Sequence, residues 1–264
     1  MVSLNKISLG IFSDTNSNAL SSKNLEKESL KKLNINDIIQ VDFPDNQYYK
    51  VPTDKNQITI HHTVSNSNSV NGDIAWWRST ADRIATALII GHDGKIYQCF
   101  SSKYWGHHLG VKAEFLKSLG FIDYNTRNVQ LNKSAIGIEL DAWGGLIKYR
   151  DAWYPAKWDE NRKQNVANVD ASPVKNVYEI SKGFRGYYGF EKYSNEQIEA
   201  LRELLVFFNE KYGIPLDYNE TMWDISKDAL GGKSGIWTHV SYRTDKSDCY
   251  PDPDLINMLK SLKQ

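Results

Sequence analysis

Apolar residues recur along this chain in two rhythms. Over residues 194–212, Ile198, Leu201, Leu205, Phe208 and Tyr212 fall on one helical face. Ser194 and Gln197 stand where a capping box opens a helix, and Gly213 with Pro215 where a helix stops. Leu255, Ile256, Leu259 and Leu262 repeat the pattern behind Pro253, and Ile74, Trp77, Ala81 and Ile84 predict a third helix over 73–84. Elsewhere the apolar runs are short and β-branched: residues 58–63, 87–90, 96–100 and 135–140 predict strands, with Asp93-Gly94 turning a hairpin. Strands alternating with helices predict an α/β fold, a central mixed β-sheet flanked by helices. No internal repeat is present.

The same pattern divides the chain. Residues 1–50 are rich in Asn, Ser and Lys and read as a polar N-terminal extension, with an amphipathic surface helix at 24–33 and a turn at Phe43-Pro44-Asp45-Asn46. Residues 51–264 read as the chemistry-bearing domain. Within it, 141–193 is an insertion far longer than an ordinary connection, so it is expected to carry function or small elements of its own. Its Trp143, Tyr149, Trp153, Tyr154, Trp158, Tyr187 and Tyr188 suit either sugar faces or an accessory core.

Composition narrows the partners. Lys+Arg and Asp+Glu are both 32 in 264 residues, a zero net charge that argues against nucleic acid and against an anionic membrane surface. The two cysteines, Cys99 and Cys249, make no disulfide framework. Residues 1–7 hold no apolar stretch of signal-peptide length, and no segment approaches membrane-spanning length. Synthesis in the cytoplasm without a leader, no membrane insertion and a monomeric state are the expectations.

The candidate chemistry lies in two distant histidine clusters. Ile58-Thr59-Ile60-His61-His62-Thr63 places a histidine on a rigid strand, and Trp237-Thr238-His239 is followed by Lys246-Ser247-Asp248 on what reads as a neighbouring loop. Two imidazoles and a carboxylate or thiolate, with a fourth position left for water, form the ligand set of a catalytic zinc hydrolase. By the two-residue strand period, His62 points to the opposite sheet face from His61. Glu139, in the apolar run Ile136-Gly137-Ile138-Glu139-Leu140, is costly to bury without a task and suits a general base.

These motifs stand in a recognisable order. His61-His62-Thr63 is followed by Ile90-x-x-Asp93-Gly94-x-Ile96-Tyr97-Gln98, Trp105-Gly106-His107-His108-Leu109-Gly110, Ser134-Ala135-Ile136-Gly137-Ile138-Glu139-Leu140, a Ser-x-x-Gln helix, and His239 with Lys246-x-Asp248. Over residues 57–264 this resembles the zinc-dependent N-acetylmuramoyl-L-alanine amidases, whose fold is shared with peptidoglycan recognition proteins and several phage lysins. The resemblance implies an amidase-like fold, Zn2+ as cofactor, and a peptidoglycan or muropeptide substrate. It implies His61, His239 and Asp248 as metal ligands, Glu139 and Lys246 as catalytic residues, and His108 and Trp105 as substrate-binding residues.

Several alternatives stay open at this stage. Asp248 keeps the Lys-x-Asp spacing and ranks first as third ligand, Cys249 is a softer alternative, and Asp252 ranks behind both because Asp before Pro also starts a helix. The lysozyme-type phage members use a tyrosine that would fall near Thr86 here, which favours the glutamate route. His61 and His108 as packed structural histidines, and Lys246 as a solvated loop lysine, are the plain alternatives. The expected activity is cleavage of the amide between N-acetylmuramic acid and L-alanine, by a phage or prophage lysin acting on the wall after release. Muropeptide processing in the cytoplasm, a non-catalytic peptidoglycan-binding module and a zinc endopeptidase are its rivals.

Overall fold

The fold is built on strands that cannot face water on either side. In the computed structural model, which describes residues 33–34, 37–80 and 82–262, every residue of β2 (Gln57–His62) and β5 (Ala135–Leu140) is buried. Such continuous burial is the mark of parallel strands covered on both faces. With β1 (Ile39–Gln40), β3 (Leu88–Ile90), β4 (Ile96–Gln98) and β11 (Gly235–Thr238) they form a six-stranded sheet in the order β1-β4-β3-β5-β2-β11. The β3–β5, β5–β2 and β2–β11 pairs are parallel, whereas β3 and β4 form the antiparallel hairpin that Asp93-Gly94 predicts. The architecture is therefore the expected mixed α/β sheet with flanking helices.

The longest helix, Asn195–Tyr212, forms as its sequence pattern requires. The Ser194 hydroxyl accepts the Gln197 amide N–H while the Gln197 side chain accepts from the Ser194 N–H. Gly213, at φ 69°, closes the helix in the left-handed region where a Cβ is penalised. Its stripe of Leu201, Leu204, Leu205 and Phe208 is buried in the core. Gln197 also ties the helix to the sheet, donating to the carbonyls of Ile90 and Asp141 at 3.2 and 3.0 Å.

The last helix, Pro253–Ser261, starts on Asp252, whose carboxylate accepts the N–H groups of Asp254 and Leu255 at 2.9 and 3.0 Å. Asp252→Ala is therefore expected to cost about 1–2 kcal/mol, read as a lowered midpoint in urea unfolding with an unchanged m-value.

Several elements differ from the sequence-based expectation. The helix predicted over 73–84 is Val70–Ser79, and Ile84 instead bridges to His107 as extended chain. Two helices, Ala113–Ser118 and Tyr124–Ser134, lie where no periodicity marked them, because they are short and mostly polar. Ile38, Phe43 and Tyr48 are buried in the main core and β1 pairs with β4, so residues 38–48 pack with the domain that the sequence pattern begins at residue 51. The helix expected at 24–33 lies outside the described residues except at Leu33, and so does Ala81.

The insertion carries a sheet of its own. Strands β6 (Gly145–Tyr149), β7 (Ala152–Asp159), β8 (Gln164–Ala167), β9 (Val177–Phe184) and β10 (Tyr187–Glu191) form an antiparallel sheet in the order β8-β7-β6-β10-β9. Phe190 and Tyr178 stack on Tyr250 at 4.4 and 6.2 Å, joining it to the main core. Arg185, at the β9–β10 turn, donates to Asp224 and to the carbonyls of Val240 and Thr244. The aromatics thus divide: Tyr178, Tyr187 and Phe190 pack inward, while Tyr149, Trp158 and Tyr188 are exposed. Among the described residues no helix is long and apolar enough to cross a membrane.

Candidate metal centre and active-site cleft

Three parallel strands end side by side, and their carboxyl ends deliver the candidate residues, where open α/β sheets generally bind ligands. β2 ends on His61 and His62, β5 carries Glu139 directly opposite His61, and β11 pairs Thr238 with Ile60 so that His239 emerges beside His61. His239 opens a short 3-10 helix, His239–Ser241, rather than a loop. Thr238 and Ser241 anchor that turn by donating to the Met222 carbonyl. The Val240 N–H in turn bonds the Asp248 carbonyl at 3.1 Å, which brings the 246–248 segment back to the strand ends.

His61, His239 and Asp248 converge. His239 Nδ1 lies 2.8 Å from Asp248 Oδ2, and His61 Nδ1 lies 3.2 Å from the same oxygen and 3.1 Å from His239 Nδ1. All three side chains are buried. Outward partners hold both rings. His239 Nε2 is 3.0 Å from the Leu109 carbonyl, which only accepts, so Nε2 carries the proton and Nδ1 presents a lone pair. His61 Nε2 is 3.0 Å from His108 Nδ1, so its Nδ1 is the ring nitrogen turned inward to Asp248.

In the neutral rings, a His239 lone pair then faces a carboxylate oxygen at hydrogen-bond distance. That contact is favourable only with a cation or proton between them. Two imidazole nitrogens and one carboxylate oxygen, all within 4.8 Å of one another, fit a borderline-soft divalent ion such as zinc.

The electrostatics agree. Burial pushes the His61 imidazolium down to about 4, with the neighbouring His239 acting in the same direction and Asp248 only partly opposing, so the ring is neutral and able to ligate near pH 7. Burial alone would raise Asp248, but the two histidines outweigh it and hold the carboxylate well below its usual range. His62 faces the other side of the sheet, where Nδ1 meets the Tyr193 hydroxyl at 2.9 Å, and burial lowers it to about 4 as well.

The other candidates for the third ligand are turned elsewhere. Cys249 is fully buried, and its thiol, pushed well above its usual value by burial, faces the Tyr193 hydroxyl instead of the imidazoles. Asp252 caps the last helix and accepts the Tyr250 hydroxyl at 2.7 Å. The Cys249 placement follows from a neighbour distant in sequence, that of Asp252 from the helix it starts.

A cleft of about 310 Å³ opens over the three converging side chains. Glu139, His108, Lys246, Thr86, His107 and Trp76 are among its lining residues. Glu139 Oε2 is buried with no hydrogen-bond partner, and burial, with the charges of Asp248 and Asp73, raises its carboxyl well above the usual value. Thr86 occupies the cleft wall near the expected tyrosine position, with its hydroxyl donating to the Leu88 carbonyl. His108 fits because residue 137 is glycine: a Cβ there would come within 3.1 Å of the imidazole and closer still to Thr86.

Trp105 is not among the lining residues. It stacks on Tyr49 at 3.9 Å and is buried behind the cleft, leaving His107 to face it. No sequence pattern marks the apolar lip formed by Val64, Trp76 and Ile84. Exposed Trp76 sits on a helix whose inward residues gave the only periodic signal.

Beside the cleft, the Ser65 hydroxyl lies between Asp73 and Asp141, 3.0 and 3.4 Å from their carboxylate oxygens. Burial raises Asp73 to about 6 and Asp141 to about 7. Because the folded values exceed the unfolded one, the native state binds more protons, and stability falls as pH rises from about 4 to about 7. Asp73→Asn is expected to match wild type at pH 4 and to exceed it by about 1–2 kcal/mol at pH 8, measured by urea unfolding across that range.

A mixed α/β sheet thus gathers two histidines and a carboxylate that could hold a metal ion, beside a buried glutamate. The chain belongs to the N-acetylmuramoyl-L-alanine amidase family Amidase_2, which it matches over residues 52–251. Curated proteins give no match. Among solved structures, it is similar to the N-acetylmuramoyl-L-alanine amidase LysC from Clostridium intestinale URNW, with 14% identity over 84% of this chain and 96% of that one, at a TM-score of 0.40. It is also similar to the Staphylococcus aureus hydrolase AmiA, with 14% identity over 99% and 97% of the two chains and a TM-score of 0.42. A third similar structure is Apis mellifera PGRP-SA, at 15% identity over 86% and 96% and a TM-score of 0.39.

Proposed function

We propose that this chain is a zinc-dependent amidase that cuts the amide between the lactyl group of N-acetylmuramic acid and L-alanine, as a phage or prophage cell-wall lysin. Family membership supports amide hydrolysis on peptidoglycan. The observation that carries the metal reading is the convergence of His61 Nδ1, His239 Nδ1 and Asp248 Oδ2 beneath a cleft that also holds Glu139.

His61, His239 and Asp248 would hold the ion, with Asp248 supplying the negative charge. When bound, zinc polarises the scissile carbonyl and lowers the pKa of water toward neutrality. Glu139 accepts the proton of the attacking water at its unpartnered Oε2 and returns it to the leaving amine nitrogen. Its burial raises its proton affinity, which favours taking a proton from water. Lys246, which also lines the cleft, stabilises the negative charge that develops on the carbonyl oxygen. His108 binds substrate beside the ligands, while Trp76, Val64 and Ile84 offer an apolar lip to the sugar face and lactyl group.

Mass spectrometry of fragments released from purified sacculi tests the bond cut. Intact stem peptides with free L-alanine amino termini are the expected products. Peptides cut internally would make the chain an endopeptidase, and no release with retained binding would make it a recognition module.

A further inference from the structure

The strongest device outside the cleft is a pair of asparagines one helical turn apart, Asn128 and Asn132 on the helix Tyr124–Ser134. Asn132 is fully buried, and its Oδ1 accepts two successive backbone N–H groups, His108 at 2.8 Å and Leu109 at 3.1 Å. Its Nδ2 donates to the Asn128 carbonyl at 2.7 Å and faces Asn128 Oδ1 at 3.2 Å. Asn128 Oδ1 accepts the N–H of Val111 at 2.8 Å. Three amides of an irregular segment are thus held by two side chains of one helix.

What that segment does gives the pair its meaning. The His108 ring meets His61 Nε2 at 3.0 Å, and the Leu109 carbonyl accepts from His239 Nε2 at 3.0 Å. The outward nitrogen of each candidate imidazole ligand is therefore held by one of the two residues whose amides Asn132 pins. We infer that Asn132 is a positioning residue: a single buried amide that holds the outward partners of both His61 and His239 and so sets the aim of the two rings toward the metal. This rests on the metal reading above.

The chemistry requires an amide at that position. Oδ1 must accept twice while Nδ2 donates to a carbonyl, and an aspartate would set a second oxygen against the Asn128 carbonyl and Oδ1. A smaller side chain would leave two buried N–H groups without partners. Partners of metal-bound histidines orient the rings, and losing them typically costs about 10–100-fold in metal affinity.

The test uses the full chain, stripped of metal and titrated with zinc against a chromogenic chelator, with the absorption spectrum of the cobalt-substituted protein as a second readout. Asn132→Asp and Asn132→Ser are expected to weaken zinc binding by about 10–100-fold and to shift the cobalt bands. Gln57→Ala is the control. It removes two hydrogen bonds, to the carbonyls of Ala229 and Lys233, at the far end of the His61 strand. It should lower the Tm of the metal-free protein but leave zinc affinity and the cobalt spectrum as in wild type.

Wild-type zinc affinity and an unshifted cobalt spectrum in a folded Asn132 variant would overturn the inference and leave the metal reading standing. No zinc binding by the wild-type chain would overturn both. Should neither Asn132 variant fold, Asn128→Ala carries the test. It breaks the same array one step further from the ligands, so a several-fold weaker affinity is expected there, and an unchanged one counts against the inference.

Discussion

Glu139→Gln is expected to lower kcat by about two to four orders of magnitude while leaving zinc content and KM near wild type. The glutamine is nearly isosteric, so it keeps the cleft's shape and removes only the ability to take a proton. Glu139 stands opposite His61 in the β2–β5 register, is buried, and has one oxygen with no partner. A carboxylate placed so is destabilising until it meets a proton or a cation. The same substitution should therefore leave thermal stability unchanged or raise it, which separates a lost base from a damaged fold. Comparable turnover in the two proteins at matched zinc content would sink the assignment and turn attention to Lys246 and His108.

Removing a candidate ligand should have the other large effect. The wild-type chain is expected to retain about one zinc after dialysis, and His61→Ala, His239→Ala and Asp248→Ala should each retain none and lose all lytic activity. Two remaining ligands compete poorly with water and buffer. Cys249→Ser should keep its zinc, because the thiol faces Tyr193. Metal analysis of the purified variants, with circular dichroism to confirm folding, decides the matter. Zinc lost from Cys249→Ser but kept in Asp248→Ala would move the third ligand by one residue and weaken the role given to Lys246.

The sequence by itself determined the local elements and the class of fold. The stripe from Ile198 to Phe208 needs only a helix to bury it, and the Ser194–Gln197 box and Gly213 set its ends by short-range hydrogen bonds and backbone sterics. The run 135–140 became a strand with the expected bounds because β-branched residues buried on both faces leave few alternatives. Family membership was legible in the order of motifs, each weak alone.

Only the tertiary structure decided what those motifs face. Asp248, Cys249 and Asp252 fall within five residues, yet one side chain meets the imidazoles, one meets Tyr193 and one caps a helix; the cap is local and legible beside Pro253, whereas the first two directions are set by His61 and Tyr193, far away in the chain. Trp105 reads as a cleft aromatic beside His107 and His108, but stacking on Tyr49 draws it behind the wall. The antiparallel sheet inside residues 141–193 depends on strands pairing across its loops, and the lip of Val64, Trp76 and Ile84 exists only once three separate segments meet. Asn132, a polar residue in a weakly periodic helix, carries no signal until His108 and Leu109 are seen against it. Short-range chemistry is written in neighbouring letters; the direction of a buried polar side chain is set by partners that only folding brings near.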